Sequence, residues 1–436
     1  MSAGATLAVR LFLSSAGEAN DAVIVGDIRP AGLDGTEQHD ILIPCGSSPE
    51  PTSYAVTPGR YLVTATLPSG LVLTENVTAV AGRRTAVDFV MTDSPYETHS
   101  WQYLMGNIEP GRVYHGPAPI PLAESVASRS MVAAAAGPDG VVPDTAVDLA
   151  ALATWIGDAE PASCSFASVL ALRQQASGQG VVQALARGEP QVLPAPDVRG
   201  GALAPLYRFG SHGPLHAPGG PVGERQFLVV EAAGSLRLVT LPLPWGAAEV
   251  EVLINLRQSP TGSAVAVTVR DPVAGAGLAY MSQGALDSAA RLFAGLRADA
   301  EETPGAAPAH PLATAAACYV LLGTDRSPGE TYWDAWLEAL AEGSPRLSDG
   351  AILRAVRTLR RASAPPRLRE ARDRLIEAFE RGVPLYTLGL AWLVDGLSAF
   401  PDDPECRRRL DEVRRLSWLA DMREPFLILD LRQGST

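Results

Sequence analysis

Two stretches hold residues whose types could do chemistry. Cys164 stands between two serines in ASCSFAS, and His212 and His216 stand four apart in SHGPLHAPGG. A thiol becomes a nucleophile when a nearby base lowers its pKa, and His115, His212 or His216 could be brought to Cys164 by folding. Two histidines four apart would share one face of a helix, but the glycines and prolines around them deny that helix. A metal site there needs a third ligand that the sequence does not name. Asp144-Thr145 in PDTAVD has the start of an aspartic-protease turn without a partner. GxSxG, HExxH and CxxC are all absent, and no GxGxxG follows a clear strand. All 35 basic residues are arginine, which excludes Schiff-base, pyridoxal phosphate and lysine phosphate-loop chemistry. The residues therefore assign no catalytic group, no metal ligand and no cofactor. Cys164 reads as a structural thiol and residues 212–216 as loop. A hydrolase using Cys164 or a histidine of that loop is the alternative.

The segment SPYETHSWQYLMGN, residues 94–107, gathers one histidine and one tryptophan between two tyrosines. Ser94 with Glu97 three residues on makes a capping box, and Pro95 suits the first helical position. Trp101 and Leu104 share a face, and Gly106-Asn107 can end the helix. This reads as a capped connector. Trp101 and Tyr103 are its candidate interaction residues, and His99 has no nucleophile beside it.

The elements that position these residues come next. The chain is 47% hydrophobic and 19% charged, as a globular protein of two to four domains would be. Its net charge is −13, with 15 Arg against 25 Asp plus Glu before residue 282 and 20 against 23 after it. Neither part is basic, which argues against nucleic-acid binding. No apolar window is long enough for a membrane span. Four scattered cysteines and an N-terminus that alternates like a strand suggest a reduced, cytoplasmic protein.

Residues 5–92 read as seven short strands: TLAVRLFL, DAVIVGDI, HDILIPC, SYAVT, RYLVTATL, GLVLTENVTAV and TAVDFVM. Within them, PGRYLVTATLPSGLVLTENVTAVAGRRTAVDF (Pro58 to Phe89) resembles the carboxypeptidase-regulatory-like and PEGA families of small β-sandwiches. The resemblance implies a module for structure or contact rather than catalysis.

In residues 108–225, AVDLAALATWIGDA reads as helical, and SCSFASVLALRQQASGQGVVQALARG as two helices broken at Ser177-Gly178. The Pro/Gly-rich stretch from about 190 to 225 reads as a long exposed loop. Residues 226–270 give four strands with short turns, Glu249 and Glu251 facing outward between Val250 and Val252. After Ser282 the period becomes helical through seven segments, with Trp333, Trp336, Trp392 and Trp418 as core anchors.

The fold class expected is α+β multidomain: a β-sandwich over 1–93, a mixed region over 94–281, and a helical array or bundle over 282–436. The preferred function is a non-enzymatic interaction, adaptor or regulatory protein with protein partners. The layout also resembles proteins found beside bacterial caspase-like peptidases in signalling or antiphage systems. That resemblance implies a protease as partner. Separately, an exposed loop rich in small residues is where a protease cuts first, so the 190–225 loop is the expected cleavage stretch. Arg199, Arg208 and Arg225 are its candidate recognition residues, with Arg199-Gly200 preferred because Gly200 and Gly201 let the backbone adapt. A structural subunit of a larger assembly is the remaining alternative.

Overall fold

The computed structural model describes residues 4–13, 22–32, 38–46, 48–68, 70–91, 153–158, 161–185, 197–201, 204–209, 225–232, 235–243, 245, 248–254, 265–293, 310–324, 332–361 and 365–432. The segment bearing His99, Trp101 and Tyr103 lies outside these residues, as do His115, Asp144, His212 and His216.

The elements in chain order begin with β1 (Ala5–Leu13), β2 (Ala22–Pro30), β3 (His39–Gly46), β4 (Thr52–Val56), β5 (Gly59–Thr66), β6 (Val72–Ala79) and β7 (Arg84–Met91). Next come β8 (Ala153–Asp158), α1 (Phe166–Ala171), α2 (Gly178–Leu185), β9 (Asp197–Gly201), β10 (Ala204–Phe209), β11 (Gln226–Ala232), β12 (Ser235–Leu241), β13 (Val250–Ile254) and β14 (Val265–Val269). The helices α3 (Pro272–Ser282), α4 (Leu286–Leu292), α5 (Pro311–Gly323), α6 (Tyr332–Gly343), α7 (Ser348–Arg360), α8 (Pro365–Glu380), α9 (Thr387–Ser398) and α10 (Pro404–Ser417) follow, then β15 (Ile428–Asp430). The layout is α+β, with a β-rich front and a helical rear.

The chain divides into two compact units, Met1–Val141 with Thr268–Phe293, and Val142–Val267 with Ala294–Thr436. The division is not the linear one at 93 and 281. Two segments return to elements far earlier in the chain: α3–α4 to the first sheet, and β15 to the sheet of β11 and β12.

In the first unit, β1 is the organising strand. One edge pairs parallel with β7 along its length. The other pairs antiparallel with β4 and then parallel with β3. From β3 the sheet runs antiparallel through β2 and β5 to β6, and β6 comes back near β7, so the seven strands curl. Alternation places Leu7, Val9 and Leu11 of β1 and Val87, Phe89 and Met91 of β7 in the core. Between them Arg10 and Asp88, directly opposite in register, form an ion pair at 2.8 Å outside it.

The second face of β2 is covered by α3 and α4. Asp271 caps α3 by accepting from the Val273 and Ala274 amides, with Pro272 in the first turn. The Tyr280 hydroxyl ends the β2–β5 ladder, accepting from Val25 N at 3.2 Å and donating to the Thr66 carbonyl at 2.5 Å. Arg291 bonds the Gly26 carbonyl at 3.1 Å and Asp40 at 2.8 Å.

The second unit holds two four-stranded sheets where one small sheet was expected. One is ordered β15-β12-β11-β8, with α2 against β11 and β8; the other is β14-β13-β10-β9. Three readings of this region are corrected. Residues 153–158, read as part of a helix, are β8, which pairs with β11. Residues 197–201 and 204–209, read as exposed loop, are the paired strands β9 and β10. Glu251, read as outward-facing, is 2% exposed, because β13 is buried along its whole length and Arg208 of β10 reaches Glu251 at 2.6 Å.

In the helical part α7 is central, packed by α5, α6, α8 and α9. Trp336 and Trp392 are buried as expected, and Glu377 and Arg381, one turn apart at the end of α8, form an ion pair at 2.7 Å. The Trp333 side chain lies outside the described residues. Trp418 is not a core anchor but is 80% exposed. The buried stripe of α10 is Cys406, Arg409, Leu410, Val413 and Leu416, and a residue two past Leu416 points to the opposite side.

Asp403 starts α10, accepting from the Glu405 and Cys406 amides at 2.9 Å, and Arg372 donates to it at 2.9 Å. These donors, Arg372 first, hold its carboxyl down at about 2 from an ordinary 3.8. A depressed pKa gives stability that is complete above the unfolded value and is lost as pH falls through the folded one. The loss therefore runs from pH 3.8 down to about 2. Asp403→Asn keeps a capping acceptor and removes the charge. Urea midpoints measured over that window should fall less steeply for Asp403→Asn than for the parent chain; identical slopes would refute the assignment.

Candidate functional site

The segment from Gly382 to Tyr386 joins α8 to α9, is buried throughout, and apart from an isolated bridge between Tyr386 and Phe426 has no regular structure to satisfy its backbone. Buried amides and carbonyls need partners, and side chains from widely separated elements supply them. The Val383 amide donates to the Cys164 carbonyl at 2.9 Å. Arg225, just before β11, donates to the Val383 carbonyl at 2.5 Å and to the Pro384 carbonyl at 3.1 Å. Ser348 Oγ also donates to the Val383 carbonyl at 3.1 Å. Asp349, in the first turn of α7, accepts from the Leu385 amide at 2.7 Å, the Tyr386 amide at 3.2 Å and the Tyr319 hydroxyl at 2.9 Å. The Leu385 carbonyl accepts from Leu427 N at 2.8 Å. A cation thus takes the segment's carbonyls while an anion takes its amides.

Aromatic rings enclose this network. Tyr319 meets Tyr386 and Trp392 edge-on at centroid distances of 5.7 and 5.1 Å, and Tyr386 lies 5.3 Å from Phe426. Arg225 sits over Phe227, 5.4 Å from the ring centroid. Burial raises the Asp349 carboxyl above its usual range, against the opposing pull of Arg225 and of its hydrogen-bond donors. It lowers the Arg225 guanidinium, against the influence of Cys164 and Asp349. The Tyr319 and Tyr386 hydroxyls are raised by burial and by Asp349.

Cys164 lies at this junction and is 3% exposed. Burial raises its thiol above the ordinary value, outweighing the cations Arg225 and Arg346. A nucleophilic cysteine needs the opposite shift. The described histidines are His39, in the first unit, and His310, just before α5, and no hydrogen bond joins either to Cys164. Cys45, Cys318 and Cys406 are also buried and free, and burial pushes the Cys406 thiol up to about 11. Among the described residues no group of three or more His, Cys, Asp or Glu is placed to hold a metal ion. The described groups of this arrangement hold a buried turn, their hydrogen bonds directed to the backbone of the Gly382–Tyr386 segment.

The other sequence candidates are placed as follows. Arg199 and Gly200 are within β9, opposite Leu206 and Pro205 of β10. Arg208 is bonded to Glu251 and lies near Glu249, at 3.5 Å. Arg225, read as a loop residue, is 7% exposed, because both of its terminal nitrogens are spent on the Gly382–Tyr386 segment. The placement of Arg225 on the carbonyls and Asp349 on the amides of the Gly382–Tyr386 segment was missed. The only sequence signal was local: Asp349 opens a helix in SDGAIL, and Arg225 directly precedes a strand.

A different surface is specialised by exposure. Trp418 caps the end of α10, its amide donating to the Arg414 carbonyl at 3.2 Å. Ala420 then bridges to Leu429, and the Asp430 amide donates to the Leu419 carbonyl at 2.8 Å, so the backbone on either side of the indole is fixed. Met422, 50% exposed, follows four residues later.

A family model described as the Y4kD C-terminal domain matches residues 276–428, from within α3 to the first residue of β15. It includes Asp349, the Gly382–Tyr386 segment and Trp418, and excludes Cys164 and Arg225. No curated protein and no solved structure matches the chain.

Proposed function

We propose that the chain is a non-enzymatic adaptor or regulatory protein, working in the bacterial cytoplasm as the partner or cleavage target of a caspase-like protease in signalling or antiphage defence. The observation that carries the interaction reading is Trp418. A tryptophan 80% exposed on a fixed backbone forgoes the burial that stabilises most tryptophans, and such residues are the usual energetic anchors of protein interfaces. The junction around Arg225 and Asp349 supports the same reading, since the terminal nitrogens of Arg225 and the carboxylate of Asp349 are committed to holding the fold. The PEGA-like segment of the first unit fits a contact module. No described helix is long and apolar enough to cross a membrane. If a protease acts at Arg199-Gly200, β9 must first leave β10, because a protease binds its substrate as an extended, unpaired segment.

The test is affinity purification of the tagged full chain from its native host, parent against Trp418→Ala, with quantitative mass spectrometry. One or more specific partners should drop by about ten-fold or more, the effect of removing an interface anchor. An unchanged set of partners at unchanged levels would overturn the reading.

A further inference from the structure

The arginines of the helical region are mostly paired. Arg354 reaches Glu338, Arg361 reaches Asp334, Arg374 reaches Glu370, Arg381 reaches Glu377, and Arg372 contacts three carboxylates. The chain has 48 acidic residues for 35 basic ones, so unpaired arginines are not forced by a shortage of carboxylates. Yet Arg407, Arg408, Arg414 and Arg415 of α10 are all exposed, and among the described residues none of them has an ion-pair partner. Arg414 has only a long contact, 3.5 Å, to Ser398 Oγ.

These positions follow helical spacing. Arg407, Asp411, Arg414 and Trp418 lie at i, i+4, i+7 and i+11, with Arg408 and Arg415 beside them. The exposed face of α10 is therefore a cationic stripe, interrupted by Asp411, that ends at a protruding indole. The backbone at that end is already fixed, so binding there costs little ordering.

We propose that this face docks an acidic polypeptide segment carrying at least one large apolar side chain. This rests on the interaction reading above and names the partner's chemistry. Arginine's planar fork matches a carboxylate bidentately, and Trp418 needs an apolar counterpart. From Arg407 to Trp418 the helix rises roughly 16 Å at 1.5 Å per residue. An extended segment of about five residues, at roughly 3.3 Å each, covers that length. A polypeptide fits better than a nucleic acid. Asp411 sits inside the stripe, and the net charge of −13 repels a continuous phosphate backbone, whereas a short acidic segment needs only local complementarity.

The experiment uses the full-length chain, fluorescently labelled, and bead-displayed pools of ten-residue peptides. One pool is half Asp and Glu with Leu, Ile, Phe and Gly at random; the second replaces the acids by Lys and Arg. A single-stranded oligonucleotide of matched charge is the third probe. The acidic pool should retain the chain and yield an enriched apolar position. Arg414→Glu with Arg415→Glu, and separately Trp418→Ala, should each cut retention by about ten-fold with the thermal midpoint unchanged. Retention should also fall as salt rises. Equal retention on the two pools, indifference to the arginine reversal, or stronger retention on the oligonucleotide would each overturn the proposal. If Trp418→Ala loses a native partner while arginine reversal does not, the adaptor reading stands and the acidic-segment inference alone fails.

Discussion

Asp349→Ala should destabilise the second unit by about 3–5 kcal/mol, and Arg225→Ala by a similar amount, because each strands buried groups of the Gly382–Tyr386 segment and removes the Coulombic attraction that favours the other's buried charge. The Asp349 change also strands the Leu385 and Tyr386 amides and the Tyr319 hydroxyl, which now donate to its carboxylate. A buried donor left unsatisfied costs about 1–3 kcal/mol. Asp349→Asn keeps an acceptor for one of these donors and should cost less than the alanine change. The double change Arg225→Met with Asp349→Leu should cost less than the sum of Arg225→Ala and Asp349→Ala, since it removes both desolvated charges together. Urea unfolding of the four variants tests this ranking. Losses under about 1 kcal/mol for both alanine variants, the range of ordinary surface changes, would mean the two charges do not hold the Gly382–Tyr386 segment.

The legible parts of the fold were those with a period. Several of the seven strands of the first sheet alternate, and all seven form close to where the sequence placed them. Helices α6, α7, α8 and α10 have apolar stripes, α5 and α9 are long apolar runs with clear ends, and all six form. The misses have physical reasons. Helix α3, PVAGAGLAYMS, is small and apolar on every side, so it shows no amphipathic period; it is buried almost throughout, and its tyrosine ends a β ladder. Strand β8 sits in an Ala/Leu-rich stretch whose intrinsic preference is helical, overridden by pairing with β11. Strands β9 and β10 lie among prolines and glycines that hid two short paired runs. Trp418 was readable in principle, since it is out of phase with the stripe ending at Leu416.

The candidate sites were less legible than the fold, because they depend on partners distant in sequence. Cys164 was singled out for its serine neighbours. Its state is set by Arg225, Arg346 and the burial around it, none of which its local sequence shows. Arg225 looked like a loop residue because glycines and prolines precede it, but its guanidinium is spent on the carbonyls of Val383 and Pro384. The arginines of α10 stand in a run in the sequence, but what sets them apart shows only in the fold, where among the described residues they have no ion-pair partner while most arginines of α7 and α8 do.

Gly382→Ala should be the most damaging single-methyl change at any positive-φ glycine among the described residues. Gly382 adopts φ +97°, the left-handed region, and its amide donates to the Phe379 carbonyl at 3.0 Å as α8 ends. A side chain at that φ costs on the order of 1–2 kcal/mol for alanine. Gly382 also lacks room, since an added Cβ would stand 2.5 Å from the Cys164 carbonyl oxygen and 3.1 Å from its carbon. That oxygen is the acceptor for the Val383 amide, so relieving the clash pulls apart the bond that starts the buried segment. Crowding of this kind adds about 1–3 kcal/mol, for a total of roughly 2–5 kcal/mol. Gly284 is the control, because its φ is +73° and nothing lies within 4 Å of an added Cβ. Gly284→Ala should therefore show the backbone cost alone, about 1–2 kcal/mol. Hydrogen exchange read by mass spectrometry separates the two costs. Peptides covering residues 383–386 should lose protection in Gly382→Ala and keep it in Gly284→Ala. Equal protection in the two variants would mean that the contact with Cys164 adds nothing to the backbone cost.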